Sequence, residues 1–85
     1  MNKILKTTLA HIILVVIFSI IYFLIGKDNF NNIEDNYIDY LYFSFITSSS
    51  IGYGDITPKT NLAKILVMLH ASTTFINVVN IISIF

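Results

Sequence analysis

Eighty-five residues allow at most one domain; 55% of them are hydrophobic and 12% charged, and the net charge is zero. A soluble chain this short buries only about 60–65% of its surface, and this one has too few polar side chains to cover the rest, so the composition points to a membrane protein. Cysteine is absent, which removes disulfides and thiolate metal sites, and a neutral chain offers no electrostatic footprint for nucleic acid.

Residues 9–25 carry no charge and only two polar side chains, His11 and Ser19. Counted from Ile4, the run would be about 33 Å long as a helix, enough for a hydrocarbon core of ~30 Å. Lys3 and Lys6 flank its start and favour a cytoplasmic N-terminus. A cleaved signal peptide is the rival reading. The run is long for that purpose, however, and Ile25-Gly26-Lys27-Asp28 lacks the small-residue pair of a cleavage site.

Residues 26–36 are rich in Asn and Asp and predict an exposed loop. Residues 26–60 hold two lysines against five acids, a net of −3. An acidic connection fits the non-cytoplasmic side, and it would concentrate cations nearby. Plain solvation of a polar loop also accounts for Asp28, Glu34 and Asp35. From Tyr37 to Ser49 the chain turns apolar and aromatic, with Asn36 placed as an N-cap and Asp39 as its supporting acid. As a helix this segment would be about 20 Å long, too short to span and suited to a re-entrant position.

Ser50-Ile51-Gly52-Tyr53-Gly54-Asp55 follows directly. Two alternating glycines let consecutive peptide units take opposite hands, which a Cβ would oppose. Successive carbonyl oxygens can then face one side, and four copies around an axis would stack rings of oxygen ligands for a dehydrated monovalent cation. One copy cannot surround an ion, so closed fourfold assembly belongs to the reading. A helix C-terminus just before the strand adds partial negative charge behind the ion. An ordinary Gly-rich turn is the bland alternative, disfavoured by the Ser/Thr run before it and the acid after it.

Residues 62–85 form a second apolar run with one charge, Lys64. His70, Thr73, Thr74, Asn77 and Asn80 recur at spacings of three and four and share one helical face. They read either as the wall of a wet cavity or as hydrogen-bonding glue between helices. Ser72, Thr73 and Thr74 are placed to bond carbonyls four residues earlier and bend the helix. Ile82 and Phe85, about one turn apart, are candidates for an apolar gate. His11 and His70 read as packing residues rather than pH sensors, and the absence of arginine predicts no voltage-sensing helix.

The stretch Thr47-Ser48-Ser49-Ser50-Ile51-Gly52-Tyr53-Gly54-Asp55 resembles the pore region of potassium channels, with Tyr42-Phe43 at the aromatic pair of their pore helix. In its shortness, and in Pro58-Lys59-Thr60, Ala63-Lys64 and His70, the chain is similar to the miniature potassium channels of algal viruses. The resemblance implies an all-α membrane protein with two transmembrane helices, a re-entrant pore helix and a filter loop, assembled as a fourfold symmetric homotetramer. Residues 1–85 then form a single pore domain: outer helix about 4–26, turret 27–36, pore helix 37–49, filter 50–55 and inner helix about 61–85.

By the same resemblance, K⁺ is the permeant ion, held by carbonyls of Ser50, Ile51, Gly52 and Tyr53, with Gly54 at the outer mouth and the Ser50 hydroxyl as the innermost ring. Tyr53 would pack on pore-helix aromatics, and Thr47, Tyr42 and Asp55 would support the filter, with the Tyr42 hydroxyl on Asp55. The implied pore-facing positions of the inner helix are Ala71, Thr74, Val78 and Ile82, and Thr74 stands where many channels place a hinge glycine. Ser50 replaces the usual Thr, and Ile46 stands where several channels carry a Glu that pairs with the filter Asp.

The expected function is passive, potassium-selective conduction through a lipid bilayer without enzymatic chemistry. Both termini would be cytoplasmic, and the membrane a host membrane or the internal membrane of a virion. A weakly selective cation channel is the nearest alternative. A small membrane-permeabilising or scaffolding protein is the alternative from another class.

Overall fold

The computed structural model describes residues 2–82, with side chains described as far as Val79. Three helices account for most of them: α1 (Lys3–Ile25), α2 (Tyr37–Ser48) and α3 (Asn61–Ile82). Two-residue strands β1 (Phe30–Asn31) and β2 (Thr57–Pro58) pair antiparallel, Phe30 opposite Pro58 and Asn31 opposite Thr57. The long helices, of 23 and 22 residues, are apolar and long enough to cross a bilayer, whereas α2, at 12 residues, is not.

Local chemistry sets the helix ends. Asn2 Oδ1 accepts the Leu5 N–H at 2.7 Å and satisfies one of the orphan donors at the start of α1. Gly26, at φ 89°, ends that helix in a conformation that a side chain would oppose. Thr60 Oγ1 accepts the Ala63 N–H at 3.2 Å at the start of α3.

Asn29 joins the C-terminal end of α1 to the residues that lead into α3. Its Nδ2 donates to Ile25 O at 2.8 Å, its Oδ1 accepts from Thr60 Oγ1, and its carbonyl accepts the Lys59 N–H at 2.8 Å.

The core lies between the second half of α1, α2 and the start of α3 and is mostly aromatic: Phe18, Tyr22, Phe30, Tyr40 and Phe43, closed by Ala63. Tyr22 meets Phe30 and Phe43 edge-on, at centroid distances of 5.6 and 5.3 Å, an arrangement favoured by the ring quadrupoles. Phe30 corrects the reading of residues 26–36 as an exposed loop, since it is only 4% exposed. The Asn- and Asp-rich flanks signal turn chemistry, and one aromatic among them carries no periodicity that would mark it as core.

Truncating Phe30 removes the anchor of the whole connection. Phe30→Ala is expected to lower unfolding stability in detergent by about 3–5 kcal/mol, the usual cost of emptying an aromatic core site. Thermal unfolding followed by circular dichroism checks it, and a loss below about 1 kcal/mol would contradict this role for Phe30.

Candidate functional site

The site begins with the two ends of α2. Asn36 Oδ1 accepts the Asp39 N–H at 3.0 Å, as an N-cap should. Asp39 Oδ2 accepts the Glu34 N–H at 2.8 Å, so the acid holds the preceding turn instead of closing back on the cap. At the other end, Ser50 N–H bonds Thr47 O and Ile51 N–H bonds Ile46 O, both at 3.2 Å, and Ser50 takes φ 60°. This is a Schellman ending with Ser50 at the left-handed position, where glycine is usual. A serine there carries strain of about 1 kcal/mol or more.

The next residues keep the alternation going. Ser50, Gly52 and Gly54 have φ of 60°, 55° and 82°, whereas Ile51 and Tyr53 between them do not have positive φ. Consecutive peptide units therefore change hand along residues 50–54. Among the described residues, no donor bonds the carbonyls of Ser50, Ile51, Gly52, Tyr53 or Gly54. These five oxygens in a row are available to something other than this chain's own backbone.

The surroundings of the strand are uneven. A groove of about 320 Å³ behind it is lined by Phe43, Ile46, Thr47 and Val67 along with Gly52 and Gly54. Ile46 therefore contributes an apolar wall to this groove. Asp55 accepts a hydrogen bond from the Tyr42 hydroxyl at 2.8 Å, which raises the phenol pKa of Tyr42. Tyr40, on the buried face of α2, is pushed up to about 12, first by burial and then by its hydrogen bond to Asp35 Oδ1. Tyr53 is 67% exposed and Ile51 50% exposed. The expected packing of Tyr53 on pore-helix aromatics does not occur within one chain, because the strand stands clear of its own helices.

From His70 to Asn77 the polar stripe of α3 turns toward α1 and α2, and the Asn80 side chain lies outside the described residues. His70 is buried, stacked on Phe18 at 4.2 Å with rings 1° from parallel, and its Nδ1 is 2.8 Å from the Tyr22 hydroxyl. Thr74 is buried too, with Oγ1 3.2 Å from Ser48 Oγ, and Ser48 also meets His11 Nε2 at 3.2 Å. The cavity-wall reading thus gives way to glue between helices at His70 and Thr74; each histidine has one bonded ring nitrogen, and His70 Nε2 is buried without a partner among the described residues. Ala71 and Val78 are exposed, whereas the implied pore position Thr74 faces its own subunit's α2.

Of the three hydroxyls of the bend cluster, Ser72 bonds Met68 O four residues back and Thr73 bonds His70 O three back, but Thr74 reaches across to Ser48 instead. Lower down, Thr8, His11, Asn77 and Val78 line a cavity of about 230 Å³, and Asn77 Nδ2 is buried without a partner among the described residues. Of the two candidate gate residues, Ile82 ends α3 and Phe85 lies outside the described residues.

Sequence reasoning missed the contacts that seat α2 on α1. The Ser44 hydroxyl donates to Val15 O at 2.7 Å, and Tyr37 Oη lies 2.6 Å from Ser19 Oγ. The available signal was the spacing of Tyr37, Ser44 and Ser48, seven and then four residues apart on one face.

A sequence profile of the family described as ion channel matches residues 10–85. The chain belongs to the ion channel family. With two helices fit to cross a bilayer, this ion channel is an integral membrane protein. It is similar to "Potassium channel K2" of Plasmodium falciparum, 42% identical over 52 residues, which are 61% of this chain and 4% of that protein. It is also similar to "Two-pore potassium channel 4" of Arabidopsis thaliana, 46% identical over 48 residues, covering 55% of this chain and 17% of the plant protein. "Potassium channel protein kcv" of Paramecium bursaria Chlorella virus 1 is 45% identical over 40 residues, 47% of this chain and 43% of the viral one. The matched stretch is thus less than half the length of each of these relatives.

The Tyr42–Asp55 contact has a defined pH range. Because the folded phenol titrates above its ordinary value of 10.0, the stabilisation is fully present below pH 10 and is lost as pH rises through the folded pKa. An ultraviolet titration of the folded channel should show a late-ionising tyrosine that Tyr42→Phe removes. Loss of amplitude near pH 10 in the variant, with the late phase intact, would show that the hydrogen bond does not hold in solution.

Proposed function

We propose that this ion channel is a potassium-selective subunit that conducts K⁺ passively as a homotetramer. The observation that carries the reading is the alternating backbone of residues 50–54 with its five unbonded carbonyls. Backbone polar groups at membrane depth need protein or an aqueous pathway to satisfy them. Rings of such oxygens from four copies replace the hydration shell of a dehydrated cation.

In this reading the carbonyls of Ser50, Ile51, Gly52 and Tyr53 and the Ser50 hydroxyl hold the ions, with Gly54 at the outer mouth. Thr47, Tyr42 and Asp55 brace the strand from behind. The exposed side chains of Ile51 and Tyr53 support assembly, since a neighbouring copy would cover them. Lys3 and Lys6 favour cytoplasmic termini, which puts the groove lined by Glu34, Asp39 and Asp55 on the outer side, where it attracts cations. The names of the similar proteins agree with potassium as the ion.

A weakly selective cation channel is the second reading. It is favoured by Ile46, which leaves Asp55 braced by the Tyr42 hydroxyl alone among the described side chains.

Purified protein in a planar bilayer, with K⁺ on one side and Na⁺ on the other, separates the two. A reversal potential far toward the K⁺ equilibrium value is expected. A value near zero supports weak selectivity, and ragged unselective leakage would overturn both. In the same assay Gly52→Ala should abolish selective current. A Cβ there meets nothing within 4 Å, so the substitution acts through its φ of +55°, at about 1–2 kcal/mol.

A further inference from the structure

Buried serines are unexpected on a helix that sits among aromatics, yet Ser19, Ser44 and Ser48 are all buried where α2 lies on α1. Each is engaged. Ser19 donates its one hydroxyl proton to Val16 O at 2.6 Å, so the Tyr37 hydroxyl is the donor in their 2.6 Å contact. Ser44 donates to Val15 O at 2.7 Å, and Ser48 meets His11 Nε2 at 3.2 Å. Along α1 the contacts fall at residues 19, 15 and 11, one turn apart. Along α2 they fall at 37, 44 and 48, nearly two turns and then just over one. The long Tyr37 side chain makes up the unequal step. All three lie on one face of each helix, in antiparallel order.

We infer that this hydroxyl seam positions the filter by fixing the depth of α2 along α1, with Ser44 and Ser48 as its positioning residues. The inference rests on the reading of residues 50–54 as an ion filter. Apolar contacts tolerate sliding, whereas a hydroxyl on a particular carbonyl does not, and Val15 O is a backbone acceptor that no side-chain substitution removes. The strand is joined to the last turn of α2 without slack, through Ser50 N–H to Thr47 O and Ile51 N–H to Ile46 O. Wherever the seam holds α2, the carbonyls of residues 50–54 follow. Ser48 also reaches Thr74, so the lower end of the seam includes α3.

Size alone offers a competing account, because serine lets helices approach closely. Alanine keeps the size and removes the bond. Ser44→Ala, Ser48→Ala and the double variant, as full chains in planar bilayers, should therefore shorten the mean open time. The double variant should do so by roughly fivefold to tenfold, from the known strength of hydrogen bonds between membrane helices. The K⁺/Na⁺ permeability ratio should stay within about twofold of the parent, since the ion ligands are untouched. Thr8→Val serves as the control, because that hydroxyl bonds only Ile4 O of its own helix.

Amide hydrogen exchange in detergent reads the same seam without current. Residues 44–51 should exchange about tenfold faster in the double variant, whereas residues 61–69 of α3, before the Thr74 contact, stay as protected as in the parent. Dwell times and exchange both within about twofold of the parent would overturn the inference. A parent chain that passes no potassium current would instead defeat the channel reading, and exchange would still decide the seam.

Discussion

Peptide carbonyls without donors are costly in a low-dielectric setting, and this chain sets five of them in succession. Burying an amide without a hydrogen bond costs several kcal/mol, so residues 50–54 are tenable only where water, an ion or another chain meets those oxygens. The rest of the described structure follows from holding such a segment in place. A helix too short to span delivers the strand to its depth, a Schellman turn reverses its hand at Ser50, and the Tyr42 hydroxyl holds Asp55 beyond it. The two long helices then supply the wall against which the short one is seated.

Two kinds of contact share that work. Aromatic rings fill the outer half, where Tyr22, Phe30, Tyr40 and Phe43 meet largely edge to face. Hydroxyls and the His11 imidazole take over toward the other half, where Ser48 sits between His11 and Thr74. Apolar packing gains little from water exclusion within a bilayer. Directional polar contacts between helices therefore decide register more than they would in a soluble bundle.

Much of this was legible in the sequence, for identifiable reasons. The long helices announce themselves by uninterrupted hydropathy, and α2 by its cap at Asn36 and its aromatic composition. The alternating glycines encode the alternating hand directly, because few other residues take positive φ without strain. Ser50 completes the alternation through its place in the helix ending, which spacing alone does not reveal. Also hidden were the buried Phe30, masked by turn-forming neighbours, and the clasp through Asn29, which depends on residues about thirty positions apart. The stripe from His70 to Asn77 was visible as a stripe, but its direction was not. Periodicity shows that residues share a face and leaves open what the face meets.

The division between ring-filled and hydroxyl-rich halves has a mechanical consequence. The Asn29 clasp ties the Ile25 end of α1 to Thr60 before α3, beside the aromatic cluster, so these ends form a collar. Toward the opposite ends a cavity of about 230 Å³ lies beside Asn77, whose amide nitrogen is buried without a partner among the described residues, which leaves the helices room to move. Tilting of the long helices would thus pivot about the collar, with amplitude growing toward the Lys3 end of α1 and the far end of α3.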